Sequence, residues 1–447
     1  MPKRRALRFW LMSSTIYLSY KRMELVMRLG LGGNTEEEKE ATWNALHELN
    51  SDRMLAMCLE LRAFYLKMGQ FLGTRHDFMP KQYLRKLSQL HDDVPPMPAE
   101  QVGPLIEKGL GVKIGELFSS LNLTHPVGSA SISQVHDGVL RSNGQRVAVK
   151  VQYPDAEHVM LADLKNLRKL AAFLQEHELN FDLVSPGEML RYFGISLEFD
   201  FLKEANNIDR MHASLASAVP SVVLPETVLA SRRVLVMTFV EGLPFTKLVV
   251  PTGFSRRLFA SKGKKMLNTL AEAWGHMLFV EGCFNADPHP GNMLLMRDMK
   301  IGLLDWGQVK SVDRALQVQL ARLMRAFLAD DPHQIAQEFL GLGVKVSNPE
   351  DSTSLRQLAL SMFESRDVKG MVFSPFSPDN ALASNQVTAF PPELFFVLRS
   401  VQMLRGLAHG MGVDFSVAQA WEKHIGNLLD SNHNAPAARK RRHMRRM

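Results

Sequence analysis

Two short segments in the C-terminal half of the chain carry side chains whose types and spacing suit phosphoryl transfer. The first is Asp287-Pro-His-Pro-Gly-Asn292, and the second, thirteen residues after that asparagine, is Asp305-Trp-Gly307. Asp287 supplies a carboxylate that can orient or deprotonate a nucleophile. Asn292 and Asp305 supply oxygen ligands that can hold Mg²⁺ on the phosphates of ATP. The sequence therefore predicts a catalytic loop followed by a metal-binding loop.

A lysine on a predicted β-hairpin provides the contact with nucleotide phosphates that such a site needs. Apolar and polar residues alternate along 132–137 and 147–151, on either side of an Asn143-Gly144 turn, which indicates a hairpin. Lys150 lies on the strand face opposite the valines, and we expect it to bind the α- and β-phosphates. A loop of small residues enters the first strand and is expected to contact the nucleotide: Gly128, Ser129, Ala130 and Ser131.

The lysine also needs an acidic partner, because an ammonium group without one has no fixed geometry. A helix predicted over about 186–211 offers two candidates, Glu198 and Glu204. Their spacing of six residues puts them on different faces of a helix, so at most one can reach Lys150. A pair of strands is predicted next, near residues 221–224 and 233–239.

Composition is that of an ordinary globular protein with two or three lobes or domains, since 46% of the 447 residues are hydrophobic. Cys58 and Cys283 are far apart and lack C-x-x-C partners. This indicates neither a disulfide framework nor a zinc site, and it fits a reducing compartment. The histidines show no metal-binding spacing, so a bound metal is expected to be a hard ion such as Mg²⁺.

The net charge of +7 is concentrated at the two ends of the chain. Six basic residues precede the first acid, Glu24, and six more lie between Arg439 and Arg446. The rest of the chain is mildly acidic. This distribution argues against nucleic-acid binding, and it fits either ends that touch an anionic surface or solvated tails.

The N-terminal segment has two interpretations. Its arginines and lack of early acids fit an organelle-targeting presequence, and they also fit a basic amphipathic helix lying on a membrane. The apolar run from Phe9 to Tyr20 is too short to span a bilayer. On the membrane-surface interpretation, the residues expected to face the lipid are Phe9, Trp10, Ile16, Tyr17 and Tyr20.

Domain boundaries follow from composition and from a proline-rich linker. Two adjacent prolines in Val94-Pro-Pro-Met-Pro98 cannot lie within a helix. We expect a basic N-terminal segment at 1–36 and a helical extension at 37–98. A mixed lobe follows at 99–242 with a helical insertion at 155–190, then a helical lobe at 243–437 and a basic tail at 438–447.

In order and spacing, these parts resemble the UbiB (ADCK-type) family of atypical kinases from about residue 17 to about residue 410. The motifs that carry the resemblance are Lys67-Met-Gly-Gln70 for K-x-G-Q, Ser129-Ala-Ser131, Val147-Ala-Val-Lys-Val-Gln-Tyr-Pro154, Glu198-Phe-Asp200, Asp287-Pro-His-Pro-Gly-Asn292 and Leu304-Asp-Trp-Gly-Gln308. The resemblance implies an α+β, bilobal, protein-kinase-like fold. It also implies that the K-x-G-Q helical extension packs over the active site.

The same resemblance implies a function. Proteins of this family are expected to use ATP with Mg²⁺ as ATPases or small-molecule kinases in the biosynthesis or homeostasis of isoprenoid quinones such as ubiquinone. The implied partners are a lipid or quinone-precursor molecule, an anionic membrane surface and a lipid-biosynthetic protein complex. The implied location is peripheral on the mitochondrial inner membrane, with a plastid as the alternative.

Residue roles are also implied by the resemblance. Lys67 is expected to reach into the active site, where the candidates for a regulatory ion-pair group are Lys67, Gln70, Glu198 and Asp200. This division leaves Glu204 as the partner of Lys150.

The nucleotide pocket has two departures from the family pattern, at Gly128 and at Thr238, which replaces an acidic residue common in kinases. Gly128 stands where relatives commonly carry alanine, so the family's nucleotide preference is in doubt for this chain. Adenine is expected to be read by backbone groups near Met237 and Val240.

Two other functions remain open on the sequence. A nucleotide-gated scaffold, or pseudokinase, would bind ATP within a lipid-biosynthetic complex and would tolerate Asp287→Asn. A conventional protein kinase is disfavoured, because Asn285-Ala286 stands where His-Arg would precede the catalytic aspartate.

Overall fold

A computed structural model describes residues 2–73, 79–87, 90, 96–130, 132–177, 199–248, 255–365, 385 and 387–433. Ser131, Glu198 and the basic tail therefore lie outside the described residues. The side chains of Lys67 and Gln70 also lie outside the described part, although their helix lies within it.

Helices dominate both ends of the chain. They are α1 (Pro2–Arg28), α2 (Glu36–Leu61), α3 (Ala63–Leu72), α4 (Lys81–Leu87), α5 (Ala99–Leu110), α6 (Ile114–Leu117), α7 (Ala156–His177), α8 (Phe201–Ala218), α9 (Ser255–His276), α10 (Arg314–Ala329), α11 (Pro332–Gly341), α12 (Ser352–Phe363), α13 (Pro392–Met411) and α14 (Val417–His433). Short 3₁₀ turns occupy Phe245–Lys247 and Pro290–Asn292, and a π-turn, Met277–Glu281, extends α9.

The strands lie between these helices. They are β1 (Phe118–Leu121), β2 (Gly128–Ser129), β3 (Ser133–Leu140), β4 (Arg146–Gln152), β5 (Val222–Val223), β6 (Thr227–Ala230), β7 (Val234–Thr238), β8 (Leu243–Pro244), β9 (Cys283–Asn285), β10 (Met293–Leu295), β11 (Ile301–Leu303), β12 (Val309–Ser311), β13 (Lys345–Val346) and β14 (Val387–Ala389).

The first lobe is built on an antiparallel sheet in the order β1-β3-β4-β7-β6, with β2 paired to β3. The alternation predicted for β4 is present, since Val147, Val149 and Val151 are all buried with α5 on one face of the sheet. Ala148 and Lys150 project from the opposite face, where Ala148 packs in the core that contains Phe201 of α8. A strand with period two thus places the lysine on the side of the sheet that faces α8.

The predicted pairing of residues 221–224 with 233–239 is wrong. β7 pairs with β4 and with β6, a strand that the sequence analysis did not identify. β5 instead pairs in parallel with β11 of the second lobe. The error arose because sequence neighbours were assumed to pair, whereas the chain leaves the first sheet at β5 and returns to it at β6.

The second lobe is mainly helical, and its core lies around α9, α10, α13 and α14. Trp274 and Trp421 are fully buried, and each indole donates a hydrogen bond to a backbone oxygen, that of Asn285 (3.1 Å) and that of Ala271 (2.7 Å) respectively. Buried tryptophan is favourable only when its N–H is satisfied. The Trp274 bond also fixes the backbone just before the predicted catalytic loop.

The N-terminal helices bridge the two lobes. Phe64 of α3 is buried in a cluster with Met160 and Leu164 of α7, and the same cluster includes Ile132 of the first lobe and Phe395 of α13. Gly69 of the same helix allows close packing in a neighbouring cluster, because a Cβ there would lie 2.5 Å from a methyl group of Leu90 and 2.7 Å from the sulfur of Cys58. The expected bilobal kinase-like fold with a helical extension is therefore confirmed.

Three of the five side chains expected to face a membrane from α1 instead pack against the protein, and the other two, Trp10 and Ile16, are half-buried. Phe9 is fully buried and stacks on Tyr65, and the hydroxyl of Tyr20 hydrogen-bonds that of Tyr83 at 2.9 Å. Tyr17 packs edge-on against Phe173. Aromatic rings bury more apolar surface than other side chains, so they occupy the inner face of the helix. The exposed apolar residues of this region are leucines: Leu7, Leu11, Leu18, Leu25, Leu29 and Leu31.

None of the helices within the described ranges has the length and apolar character needed to cross a bilayer.

Replacing Phe64 with alanine tests the packing of the extension. The change removes a ring that is 1% exposed, and we expect it to lower the free energy of unfolding by about 3–5 kcal/mol. Chemical denaturation followed by tryptophan fluorescence measures this. Phe173→Ala is the matched control, because Phe173 is 38% exposed and its loss should cost less than about 1.5 kcal/mol. Equal losses would contradict the bridging role of α3.

Candidate functional site

The site is centred on a buried ion pair between Lys150 and Glu204. The Lys150 Nζ atom lies 2.7 and 2.9 Å from the two carboxylate oxygens of Glu204. The two side chains are only 9% and 2% exposed. The ammonium group also lies 5.2 Å from the centre of the Phe201 ring. Of the two acids considered for Lys150, Glu204 is the one that the described residues bring to it.

Glu204 reaches the lysine because of where α8 begins. Asp200 is the N-cap of this helix, and its side chain accepts a hydrogen bond from the Leu202 backbone at 3.1 Å. Glu204 therefore lies in the first turn, where the partial positive charge of the helix N-terminus stabilises a carboxylate. The helix predicted over about 186–211 is interrupted at Phe199 and Asp200, which are not helical, and its part before Phe199 lies outside the described residues.

Burial raises the pKa of Glu204 from 4.5 to about 7, against the opposing effect of the Lys150 charge. The nearby carboxylate of Asp305 raises this pKa further, whereas hydrogen bonds from Lys150 and from the Trp306 backbone lower it. Desolvation is the largest cause because the carboxyl has no access to water.

Asp305 connects this pair to the metal-binding loop. Its Oδ2 atom lies 3.4 Å from Lys150 Nζ, and its Oδ1 atom accepts a hydrogen bond from the Gly307 backbone at 3.0 Å. The carboxylate is 30% exposed, so it is open on one side. Asn285 donates from its side chain to the Asp305 backbone oxygen at 2.7 Å. This bond joins the catalytic and metal-binding loops directly.

Among the described residues, two side chains hold the Asp287 carboxylate. Its Oδ1 atom forms an ion pair with the guanidinium of Arg399, and its Oδ2 atom accepts a hydrogen bond from the Gln308 amide at 3.3 Å. Its backbone N–H donates to the Asn285 side chain at 2.9 Å. Neither Arg399 nor Gln308 received a role in the sequence analysis. Arg399 lies 112 residues away in α13, and no local pattern could have revealed it.

Asn292 lies beside Asp305 through the backbone. The 3₁₀ turn at Pro290–Asn292 is capped by His289, whose side chain accepts a hydrogen bond from the Gly291 backbone. The backbone oxygen of Asn292 then accepts a hydrogen bond from Leu304 at 3.0 Å, one residue before Asp305. The two proposed metal ligands are thus on adjacent strand ends, and their donor atoms are oxygens, which suit Mg²⁺.

No cluster of three or more His, Cys, Asp or Glu side chains able to hold a metal ion occurs among the described residues. A magnesium ion on ATP needs only one or two protein carboxylates, because phosphates and water supply its other ligands. An Asn292–Asp305 pair is sufficient for that mode of binding.

The small-residue loop forms the edge of the first sheet. Gly128 and Ser129 pair with β3, and the Ser129 hydroxyl lies 2.7 Å from that of Tyr153. The backbone N–H of Ala130 donates to Ser133. A Cβ at Gly128 would meet no atom within 4 Å, and its backbone is not left-handed. Local space therefore gives no reason why alanine should be excluded at this position.

The residues expected at the adenine pocket lie at the connection between the lobes. Met237 is buried in β7, opposite Ala148 of β4. Val240 follows the end of this strand and packs close to Gly302 of β11. The connection thus passes from the first sheet to the second at these residues.

The ion-pair group expected around Lys67 falls mostly outside the described residues. Asp200 alone has a described side chain, and its oxygen caps α8. The roles predicted for Lys67, Gln70 and Glu198 stay predictions.

The two lobes, the Lys150–Glu204 pair between them and the two loops beside it define a kinase-like domain. Residues 89–339 match the family described as the ABC1 atypical kinase-like domain. The match covers more than half of the chain. The protein therefore belongs to the ABC1 atypical kinase-like family, which confirms the resemblance to UbiB and ADCK-type proteins.

Individual relatives agree with this assignment. The chain is 31% identical over 338 residues to the probable protein kinase UbiB of Marinobacter nauticus, covering 73% of this chain and 60% of that protein. It is 27% identical to the chloroplastic Arabidopsis thaliana protein ACTIVITY OF BC1 COMPLEX KINASE 7, covering 90% of this chain and 57% of that protein. The chain thus spans little more than half of the length of these two relatives.

A solved structure supports the fold independently. The Mycobacterium tuberculosis protein Rv3197, determined as a complex with erythromycin, superposes with a TM-score of 0.56 at 23% identity. The superposition covers 87% of this chain and 98% of that one. At this level of identity, the likeness shows a shared fold.

The raised pKa of Glu204 predicts how stability depends on pH. The folded state holds the Glu204 proton more tightly than the unfolded state, whose carboxyl ionises near 4.5. This contribution is fully present below about pH 4.5 and is lost as the pH rises to about 7. We expect the unfolding free energy of the wild type, relative to that of Glu204→Gln, to fall as the pH rises through this window.

Denaturant titrations of both proteins between pH 5 and pH 8 measure this difference. Above about pH 7 it should be constant, because the carboxyl is then ionised in both states. A difference that stays constant from pH 5 to pH 8 would show that the pKa of Glu204 is not raised in the folded protein, contrary to this account.

Proposed function

We propose that this protein is an atypical kinase or ATPase that transfers the γ-phosphoryl group of Mg²⁺-bound ATP. One observation carries the proposal most strongly: the buried Lys150–Glu204 pair lies within hydrogen-bond reach of Asp305. A lysine held by a carboxylate beside an aspartate of an Asp-x-Gly loop is the arrangement that kinases use to bind nucleotide phosphates. Membership in the family supports the same conclusion.

The charge of each side chain indicates its proposed role in the reaction. Lys150 would bind the α- and β-phosphates, and Glu204 would keep its ammonium group in place. Asp287 would accept the proton of a hydroxyl or water as that oxygen attacks the γ-phosphorus, and the bond to the leaving ADP oxygen breaks. Asn292 and Asp305 would hold Mg²⁺, which neutralises charge on the phosphate oxygens.

The acceptor is proposed to be a lipid or quinone-precursor molecule, and the pathway to be isoprenoid quinone biosynthesis or lipid homeostasis. The support is the name UbiB of one relative. The proposed location is the mitochondrion or a plastid, and the support for a plastid is a relative named as chloroplastic.

An anionic membrane surface is the proposed docking partner, and the outer face of α1 is the proposed contact. Leu7, Leu11, Leu18 and Leu25 are each more than half exposed. At 3.6 residues per turn and 1.5 Å per residue, they fall within an arc of about 40° in a row about 27 Å long. A row of exposed leucines of this length can enter the apolar boundary of a bilayer.

The charges beside this leucine row favour lipid over a second copy of the chain. Arg4, Arg22 and Arg28 are exposed and lie within about 60° of the row. The acidic residue of the helix, Glu24, lies on another side and pairs with Lys21 at 3.0 Å. A symmetric dimer through this face would bring arginines together, whereas anionic headgroups would neutralise them.

Two substitutions test the phosphoryl-transfer proposal. We expect Asp287→Asn to lower the turnover of ATP by about 10²–10⁴-fold while nucleotide still binds. Asp305→Asn should abolish turnover that depends on Mg²⁺. The measurement is phosphate release by purified protein with Mg²⁺-ATP and anionic vesicles.

Asp298→Asn is the matched control, because Asp298 is exposed and pairs only with Lys300 among the described residues. It should retain wild-type turnover. Nucleotide binding without turnover in the wild type would identify a scaffold, and turnover that survives Asp305→Asn would place the reaction elsewhere.

The membrane contact is tested by changing two leucines of the row. Leu11→Ser combined with Leu18→Ser should weaken partition onto vesicles containing anionic phospholipid by about tenfold or more. Sedimentation with vesicles at low and high salt measures this, and binding by the wild type should fall with salt. The control is Leu161→Ser, which alters a leucine that is 43% exposed on α7. Equal binding of the double variant and wild type would exclude this face.

A further inference from the structure

The contact between Arg399 and Asp287 joins the second half of the C-terminal lobe to the catalytic loop. The guanidinium pairs with Oδ1, and the two side chains are 28% and 22% exposed. Partial burial makes this pair stronger than an ordinary surface pair. Ala286 stands where protein kinases carry an arginine next to the catalytic aspartate. In this chain the cation that pairs with Asp287 comes from α13.

Arg399 is presented by a rigid element. Its neighbours Leu394, Phe396 and Val397 are fully buried in the core of the C-terminal lobe. Phe395, one helical turn before Arg399, belongs to the cluster that contains Phe64 of α3. A side chain on a packed helix holds its partner more accurately than one on a loop.

The second oxygen of Asp287 accepts a hydrogen bond from the Gln308 amide, and burying this amide is energetically unfavourable. Gln308 is 3% exposed, and its Oε1 atom is buried without a hydrogen-bond partner among the described residues. Exchanging the amide atoms would not help, because Oε1 would then face the carboxylate instead of an N–H. A buried acceptor without a partner is unfavourable. An apolar side chain would avoid this cost, but it could not donate to Asp287.

Together the two contacts remove the freedom of the carboxylate to rotate. The terminal torsion of aspartate is broad and has two-fold symmetry. The backbone bond to Asn285 fixes the main chain of Asp287 but not this torsion. Among the described residues, Arg399 binds Oδ1 and the Gln308 amide donates to Oδ2 at 3.3 Å, so each oxygen of the carboxylate has a fixed direction.

Arg399 is separate from the groups assigned to the nucleotide. In the part of the chain that the structure describes, it contacts neither Lys150 nor Asp305, and its carboxylate partner is Asp287. Its effect is therefore expected on the reaction and not on ATP binding.

We propose that Arg399 is a positioning residue, which orients the Asp287 carboxylate for the acceptor with the help of Gln308. This inference rests on the proposed phosphoryl transfer and adds to it the residue that sets the geometry of the proton acceptor. It also makes that geometry depend on the packing of α13.

The test compares wild type, Arg399→Gln, Arg399→Lys, Asp287→Asn and the Asp287→Asn/Arg399→Gln double variant. We measure kcat for Mg²⁺-ATP turnover and the Kd of a fluorescent ATP analogue. Arg399→Gln should lower kcat by about 10–100-fold and leave Kd within about twofold. Arg399→Lys should recover part of kcat, and in the Asp287→Asn background the arginine change should add little further loss.

Arg405→Gln is the matched control for damage to α13. Arg405 lies on the same helix, and its guanidinium donates to the backbone oxygens of Leu360 and Ser361. Arg405→Gln should lower the melting temperature and leave the kcat of the folded protein close to that of the wild type.

Three results would overturn the proposal. A tenfold weaker Kd for Arg399→Gln would make Arg399 a phosphate ligand, and a rise in kcat would make the ion pair a restraint on activity. Losses that simply add in the double variant would show that Arg399 does not act through Asp287. If the wild type shows no ATP turnover that depends on Asp305, the proposed phosphoryl transfer itself is contradicted. Non-additive melting temperatures would then leave the pair a purely structural contact.

Discussion

The need to stabilise one buried ammonium group governs the architecture of the site. Lys150 projects from the centre of a sheet into a region closed to water, where an unpaired charge would cost several kcal/mol. Glu204 provides the counter-charge, and it can do so because Asp200 starts α8 four residues earlier. The sheet, the cap and the helix are therefore arranged around a single charged contact. Removing Lys150 would leave the Glu204 carboxylate buried without its ammonium partner, and removing Glu204 would leave Lys150 with the more distant carboxylate of Asp305.

The second lobe is joined to this contact through polar bonds and not by apolar packing alone. Asp305 lies beside Lys150, and Asn285 bonds the backbone of Asp305 while receiving the N–H of Asp287. Trp274 holds the backbone oxygen of Asn285 from within the core. A chain of hydrogen bonds thus runs from the buried indole of Trp274 to Lys150. This chain explains how helical packing in one lobe fixes side chains contributed by both lobes.

Local patterns in the sequence were sufficient for the β-hairpin, the position of Lys150 on its strand and the order of the two loops. A two-residue alternation and an Asn-Gly turn specify a hairpin whatever surrounds it. The break in the predicted helix at Asp200 was missed, because the capping role of an aspartate competes with a helical pattern that continues through it. The inner face of α1 was also misassigned, since sequence cannot show that Tyr65, Tyr83 and Phe173 would cover its aromatic rings.

Contacts between distant segments could not be predicted from one sequence. Arg399 reaches Asp287 across 112 residues, and nothing in the spacing of α13 distinguishes this arginine from others on the same helix. The pairing of β5 with β11 has the same origin, because it depends on how the two lobes meet. Positions that hold a site together are therefore less visible in sequence than positions that carry its chemistry.

The most direct test of the central claim is a structure of the protein with Mg²⁺ and a non-hydrolysable ATP analogue. This account predicts that the α- and β-phosphates contact Lys150 while Glu204 still holds its ammonium group. It also predicts that Asn292 and Asp305 ligate the metal and that Asp287 faces the γ-phosphate. An analogue bound away from Lys150, or a metal that avoids Asp305, would contradict it.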